Sequence, residues 1–285
     1  MRIHPKPEGS PMNRSYCADA RGISTVLPPG LKHRLCITSP PYWMLRDYGS
    51  PLQIGMEPTP EAFIESLTTV FGGAFDYVAE DGSLIIVIGD SYFGGGSSTT
   101  NGNDFANFSG KSTLAGTYPG GSKRPIKPRK HPTFRVGEQV GIPWMLASSL
   151  RSCGWMIRQV SIWAKPNPMP GPFRKRLTSS HEHIIHATKS MDYFCDRSAL
   201  DDGSRIMRDV ITCAVSKGGH RHNAGFPRKL IDTFVSAYTE VGDIILDPFM
   251  GSGTVAESCV AAGRFYTGMD INGLTSSLKP ESIDR

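Results

Sequence analysis

Two stretches of this sequence combine residue types and spacings that could do chemistry. The first is Asp247-Pro248-Phe249-Met250-Gly251-Ser252-Gly253-Thr254, an acid set directly before a glycine turn. It follows an apolar run at 243–246 and opens a small-residue segment at 252–262 that reads as a helix. A strand, a glycine turn and a helix start form a cradle where backbone can come close to a nucleotide-like cofactor. Asp270 ends the next apolar run about 20 residues on, the spacing expected of a carboxylate on ribose hydroxyls. The dinucleotide fingerprint is incomplete, since Ala256 stands at its third glycine position. Asp247 suits a cationic amino-acid group better than a pyrophosphate. A tight strand–helix turn without a ligand is the plainer alternative, and the pairing of Asp247 with Asp270 argues against it.

The second stretch is Thr38-Ser39-Pro40-Pro41-Tyr42-Trp43, directly after an apolar run. An exocyclic amino group on a base is a poor nucleophile, because its lone pair is delocalised into the ring. Acceptors on its two hydrogens make it more sp3-like. The Ser39 hydroxyl and the Pro40 carbonyl can be those acceptors, with Pro40 and Pro41 fixing the backbone direction. Tyr42 can stack on a base swung out of a duplex. The plainer alternative is a Pro-Pro turn capped by core aromatics.

Elements that position these loops are visible in the apolar patterning. Strands are predicted at 35–38, 83–89, 155–164, 182–187, 243–246 and 265–271. The spacing of Phe63, Ile64, Leu67, Val70, Phe71, Ala74 and Val78 predicts a helix over 60–78, with Thr59 as N-cap and Pro60 in the first turn. Leu230, Ile231, Phe234, Val235 and Tyr238 form a second helical face, and 252–262 a third. Alternating strands and helices imply an α/β fold with a mainly parallel sheet.

The chain has 285 residues, 39% of them apolar and 20% charged, which suits one large domain with a real core. Its net charge of +5 permits a nucleic-acid partner without requiring one. The six cysteines form no C-x-x-C pair and read as reduced, mostly buried thiols. The opening residues lack the apolar run of a secretory signal, and no stretch is apolar enough to span a bilayer, so a cytoplasmic protein is expected. His181 and His183 would share one strand face with His186 on the other, which disfavours a metal site. His181-Glu182 reads as a brace for a loop. Trp43, Trp144, Trp155 and Trp163 read as core or site walls.

The set TSPPYW and LDPFMGSGT resembles the amino-methyltransferase family of DNA modification enzymes, and the motif order resembles its permuted beta group. Agreement extends from about Tyr16 to Asn272. It includes Tyr16-Cys17-Ala18-Asp19, Val140-Gly141-Ile142-Pro143-Trp144, Trp163-Ala164-Lys165-Pro166-Asn167-Pro168-Met169-Pro170, Ser180-His181-Glu182 and His222-Asn223-Ala224-Gly225-Phe226-Pro227. The resemblance implies an α/β fold with a seven-stranded mixed sheet and helices on both faces. It implies S-adenosylmethionine as cofactor, without a metal. Asp19, Thr38, Asp247, Pro248, Phe249, Gly251, Gly253, Thr254 and Asp270 would hold it, with Asn223 and Phe226 at its methionine pocket. Ser39, Pro40, Pro41 and Tyr42 would hold the target base. A serine at the first motif position is typical of cytosine-N4 enzymes, and adenine N6 is the alternative. Carbon-5 methylation needs a nucleophilic cysteine, typically after proline, and no Pro-Cys pair occurs. Residues 273–285 carry no helix pattern where the family usually continues with one, which implies a thinner cofactor edge or a shortened chain.

Double-stranded DNA is the expected partner. Residues 91–135 break the strand–helix rhythm and turn basic, with Lys123, Arg124, Lys127, Arg129, Lys130 and Arg135 suited to phosphates. Arg174, Lys175 and Arg176 make a second basic set. Residues 196–221 lie where the family often places a short target-recognition segment. A bacterial or phage-encoded protein, a monomer or homodimer with a cognate restriction nuclease, fits this picture. A nicotinamide-dependent oxidoreductase and an inactive DNA-binding module are the rival readings. The first leaves the Ser-Pro-Pro-Tyr motif unexplained, and the second would fail to bind S-adenosylmethionine.

Overall fold

The computed structural model describes residues 13–94, 130–168, 175–201, 207–215 and 227–273. Lys123, Arg124, Lys127, Arg129, Arg174, Asn223, Phe226 and the tail from 274 lie outside the described residues.

In chain order the main elements are β1 (Arg14–Cys17), α1 (Ile23–Val26), β2 (His33–Thr38), α2 (Pro60–Tyr77), β3 (Val78–Ile88), α3 (Ile142–Leu150), β4 (Met156–Ala164), β5 (His181–Thr188), β6 (Val210–Thr212), α4 (Arg228–Tyr238), β7 (Ile244–Asp247), α5 (Thr254–Ala261) and β8 (Phe265–Asp270). The strands form one sheet in the order β1-β8-β7-β2-β3-β5-β4-β6. Only β5 runs against its neighbours, β3 and β4. All other pairings are parallel. Among the described residues the sheet therefore has eight strands where seven were expected. The eighth is β6, a three-residue addition along the outer edge of β4.

The central strands β2 and β3 are apolar without alternation because both faces are covered. Cys36, Leu84, Ile86 and Ile88 enter a core with α1, α2 and α3. Leu35, Ile37, Ile85 and Val87 enter the opposite core with α4 and α5. Successive residues of one strand thus feed two separate cores.

Helix α2 begins where its sequence says. Thr59 is extended, and its Oγ1 accepts from the Ala62 N–H at 3.2 Å. Pro60 occupies the first turn, where no N–H is needed. Helix α3 is a fresh finding. It starts at Gly141, held at φ 83°, and buries Ile142, Leu146, Ala147 and Leu150. Its exposed N-terminal N–H groups are capped from afar: the Asp90 carboxylate, just past β3, accepts from Gly141 and Ile142. Edge strands β1 and β6 are new as well.

Of the six cysteines, all free, only Cys36 and Cys259 are fully buried, and Cys17 is exposed, so the expectation of mostly buried thiols is corrected. Among the described residues, no helix is long and apolar enough to cross a membrane.

Phe71 of α2 is fully buried and meets Phe249, of the glycine turn, edge-on at 6.3 Å. Its carbonyl also accepts from the Trp155 indole N–H at 2.9 Å. Phe71→Ala should lower unfolding free energy by about 3–5 kcal/mol in urea titrations. A loss below about 1 kcal/mol would mean that this contact does not anchor the turn.

Candidate active site

Strands β2 and β7 are parallel neighbours, paired at Leu35–Ile245 and Cys36–Leu246. Their carboxyl ends therefore lie side by side, and the two chemically suggestive loops leave from adjacent points. This is where ligands bind in open α/β sheets. A single cavity opens there. Ser39, Pro40, Pro41 and Tyr42 line one part of it, and Asp247, Pro248, Phe249, Gly251 and Thr254 line another. Asp19 and Asp270 line it too. Thr38 and Gly253 are not part of that lining.

Asp247 is 4% exposed. Its Oδ1 accepts from Thr38 Oγ1 at 2.6 Å and from the Phe249 N–H at 3.1 Å. Both bonds fall on the same oxygen. Burial, against these two donors and with the Asp270 charge adding to it, pushes the carboxyl up to about 7. The glycine turn uses backbone conformations that favour glycine, with φ 50° at Gly251 and 84° at Gly253. Gly251 donates its N–H to Asp270 Oδ2 at 3.1 Å, and Asn272 donates to Oδ1 at 2.8 Å. Asp270 thus ties the turn to the end of β8, and burial raises its carboxyl above the ordinary range. Asp19 reaches the same cavity with its carboxylate bound by Arg21, the shortest contact being 2.6 Å. Burial raises the Asp19 carboxyl, but the Arg21 bonds and charge outweigh it and lower the pKa overall.

Tyr42 holds its ring half-exposed and its hydroxyl inside. The hydroxyl donates to Glu182 Oε2 at 2.5 Å, and the ring lies so close to Gly89 that a Cβ there would be 2.8 Å from it. Burial and the Glu182 charge push the phenol well above its ordinary value. Glu182 also takes an ion pair from Lys165, from the strand beside it. Glu182 was expected to brace a loop, and the loop it braces is the Ser-Pro-Pro-Tyr turn. The lining contributed by Leu45, Arg46, Tyr48, Leu52 and Ile54 had no signal in the sequence.

The histidines fall as expected. His181 and His183 meet at 5.2 Å on one face, and His186 packs on Tyr238 on the other. Among the described residues, no group of three or more His, Cys, Asp or Glu is placed to hold a metal. Trp43, Trp155 and Trp163 are buried, but Trp144 is 57% exposed beside His183, which corrects its reading as core or wall. Of the basic residues, Lys130, Arg135 and Lys175 are exposed. Arg176 stacks over Tyr92, just past β3, at 3.5 Å. The chain around Lys130 and Arg135 is tied to the Ser-Pro-Pro-Tyr loop through stacked Phe134, Phe93 and Trp43.

Residues 33–274 match the N6/N4 methyltransferase family, described as DNA methylase. The chain belongs to this DNA methylase family. The methylase is 36% identical over 271 residues to the type II methyltransferase M.Cfr9I of Citrobacter freundii, covering 93% of this chain and 83% of that protein. It is 34% identical to the type II methyltransferase M.SmaI of Serratia marcescens, covering 87% and 83% respectively. Among solved structures it resembles the PvuII DNA methyltransferase, titled cytosine-N4-specific, with a TM-score of 0.66 at 16% identity over 91% of this chain and 82% of that one. It also resembles a Thermus thermophilus DNA modification methylase complexed with S-adenosylmethionine, with a TM-score of 0.59 at 23% identity over 91% and 88%.

Asp247 supplies a direct test of the site's electrostatics. Unfolded, its carboxyl titrates near 3.8, and folded near 7. The folded protein holds a proton there that the unfolded chain has already lost, so this contribution to stability declines as pH rises from about 4 to about 7. Asp247→Asn keeps an oxygen for Thr38 and Phe249 and removes the titration. The variant should be more stable than wild type at pH 8, by up to roughly 4 kcal/mol, with the gap shrinking towards pH 5. A gap independent of pH, or a less stable variant at pH 8, would contradict the assignment.

Proposed function

We propose that this methylase moves a methyl group from S-adenosylmethionine to N4 of cytosine in double-stranded DNA. The observation that carries the reading is Ser39 in the same cavity as the Asp247–Asp270 pair. The cofactor supplies a methyl group on a sulfonium, an electrophile that needs an aligned nucleophile and no metal.

The residues present fit that cofactor. A buried carboxylate, Asp247, and a partly buried one, Asp270, flank a turn whose left-handed glycines let backbone approach a ligand. Asp247 has one oxygen outside its hydrogen bonds to Thr38 and Phe249, suited to the cationic amino-acid end. Asp270 suits ribose hydroxyls, and Asp19 the adenine. Pro248, Phe249, Gly251, Gly253 and Thr254 shape the wall, with Thr38 holding Asp247 in place. Asn223 and Phe226 would complete the methionine pocket.

Ser39 and the Pro40 carbonyl would accept the two amino hydrogens, with Pro41 fixing the turn. The half-exposed face of Tyr42 would stack on the flipped base. Alignment of amine and methyl then provides much of the rate. Lys130, Arg135, Lys175 and Arg176, together with Lys123, Arg124, Lys127, Arg129 and Arg174, would contact phosphates, with 91–135 and 196–221 sharing recognition. The type II relatives support a restriction–modification role with a cognate nuclease. The cytosine-N4-specific title of the PvuII enzyme supports the choice of base.

Mass spectrometry of nucleosides decides the matter. DNA of varied sequence, incubated with the protein and S-adenosylmethionine, should yield N4-methylcytosine. N6-methyladenine would show that the pocket rather than Ser39 sets the base. No methylated nucleoside would overturn the proposal.

A further inference from the structure

The polar side chains behind the Ser-Pro-Pro-Tyr loop form a series that leads from Ser39 past Tyr42 to Glu182. The Ser39 hydroxyl and the Gly89 N–H lie beside the Tyr42 phenolic oxygen, and both ease its ionisation. The Tyr42 hydroxyl donates to Glu182 Oε2 at 2.5 Å. Lys165 donates to the other carboxylate oxygen, Oε1. A Ser39 hydroxyl turned to Tyr42 would make every donor in this series face away from the cavity, leaving the Ser39 lone pairs to accept from a target amine.

Glu182 owes its place to the sheet. It pairs across β4 with Trp163, and Lys165 follows directly at the end of β4, where its N–H donates to the Ser180 carbonyl at 2.7 Å. The Lys165 ammonium also lies 4.5 Å from the centre of the Trp163 ring. The groups bonded to Glu182 are Tyr42, from the loop after β2, and Lys165, while the adjacent His183 feels its charge from the opposite face of the strand. A tyrosine needed only for stacking would not require on its hydroxyl a carboxylate left only 13% exposed. Burying that carboxylate is unfavourable unless it is paired and hydrogen-bonded, as it is here.

Methyl transfer to an exocyclic amine leaves one proton too many on nitrogen. The new N–C bond forms as the S–C bond breaks, with the bonding electrons staying on sulfur, and one N–H proton must leave. We propose that Glu182 receives this proton through Ser39 and Tyr42. The inference rests on the reading that Ser39 binds the target amine. The amine proton passes to the Ser39 oxygen as the Ser39 proton passes to the Tyr42 oxygen. The Tyr42 proton passes to Glu182, and from there to water. Each oxygen gains one proton and gives one up, and the net product is a neutral methylated amine. Tyr42 stays a neutral conduit, consistent with its raised pKa. Lys165 holds Glu182 in place and offsets its charge before the proton arrives.

The test uses the full chain on unmethylated phage DNA, with enzyme in excess, so that one turnover is read. Glu182→Gln keeps a hydrogen-bond acceptor for Tyr42 but cannot take a proton. Tyr42→Phe keeps the stacking ring but breaks the chain. Each should slow the single-turnover rate by about 100-fold near neutral pH, the scale of one positioned acid–base group. Calorimetric affinity for S-adenosylmethionine should stay near wild type in both. The rate of each variant should climb with pH as solvent takes over the proton, while the wild-type rate stays level over the same range. The double variant should be no slower than the slower single one. Tyr42→Phe at the wild-type rate would overturn the proposal. So would a slowing of Glu182→Gln that is the same at every pH, the mark of a structural prop. A wild type that methylates no DNA would instead remove the cytosine reading, and this inference with it.

Discussion

The Thr38–Asp247 hydrogen bond, at 2.6 Å between residues 209 positions apart, is the contact on which the site depends. It joins the last residues of two parallel neighbours, β2 and β7, and so sets the Ser-Pro-Pro-Tyr turn beside the glycine turn. On the proposed reading, one loop presents acceptors for an amine, and the other a carboxylate suited to a cationic cofactor. Neither could do chemistry alone. The buried Asp247 is unfavourable as a charge, and its two donors only partly offset that burial. A carboxyl poised near neutrality gains charge when a cationic group arrives. On the proposed reading, folding stability is thereby exchanged for ligand affinity.

Around that contact, the rest of the sheet acts as a frame. The antiparallel β5 carries Glu182 to the Tyr42 hydroxyl, and β4 adds Lys165. Asp90, just past β3, caps α3, whose exposed Trp144 packs on His183 of β5. Helix α2 presses Phe71 on Phe249, which ties the glycine turn to the larger core. Because these parts interlock, a loss of packing in the helix layer should reach the cavity without touching a ligand.

The parts of the site that were legible in the sequence are those coded by consecutive residues. The acid–glycine turn, the double proline and the Thr59 cap each state a backbone requirement locally. The apolar runs of β2, β3 and β7 were equally plain, since full burial on both faces needs no partner to be recognised. Helix α3 escaped because it is only nine residues long and Gly141 and Pro143 at its start resemble a loop. Strands β1 and β6 are too short to show a period. The link from Tyr42 to Glu182 spans 140 positions, and no local pattern announces such a bond. Trp144 misled because an aromatic residue on a helix usually faces inward, whereas this one faces out beside a histidine.

The central claim is that one cavity holds two separable functions, a cofactor half at Asp247 and Asp270 and a base half at Ser39. Calorimetric titration of S-adenosylmethionine into Ser39→Ala and Asp270→Ala, beside a turnover assay on the same preparations, tests it most directly. The account predicts that Ser39→Ala binds the cofactor near the wild-type value yet transfers no methyl group, while Asp270→Ala weakens binding roughly tenfold or more. Loss of cofactor binding in Ser39→Ala, or undiminished binding in Asp270→Ala, would contradict it.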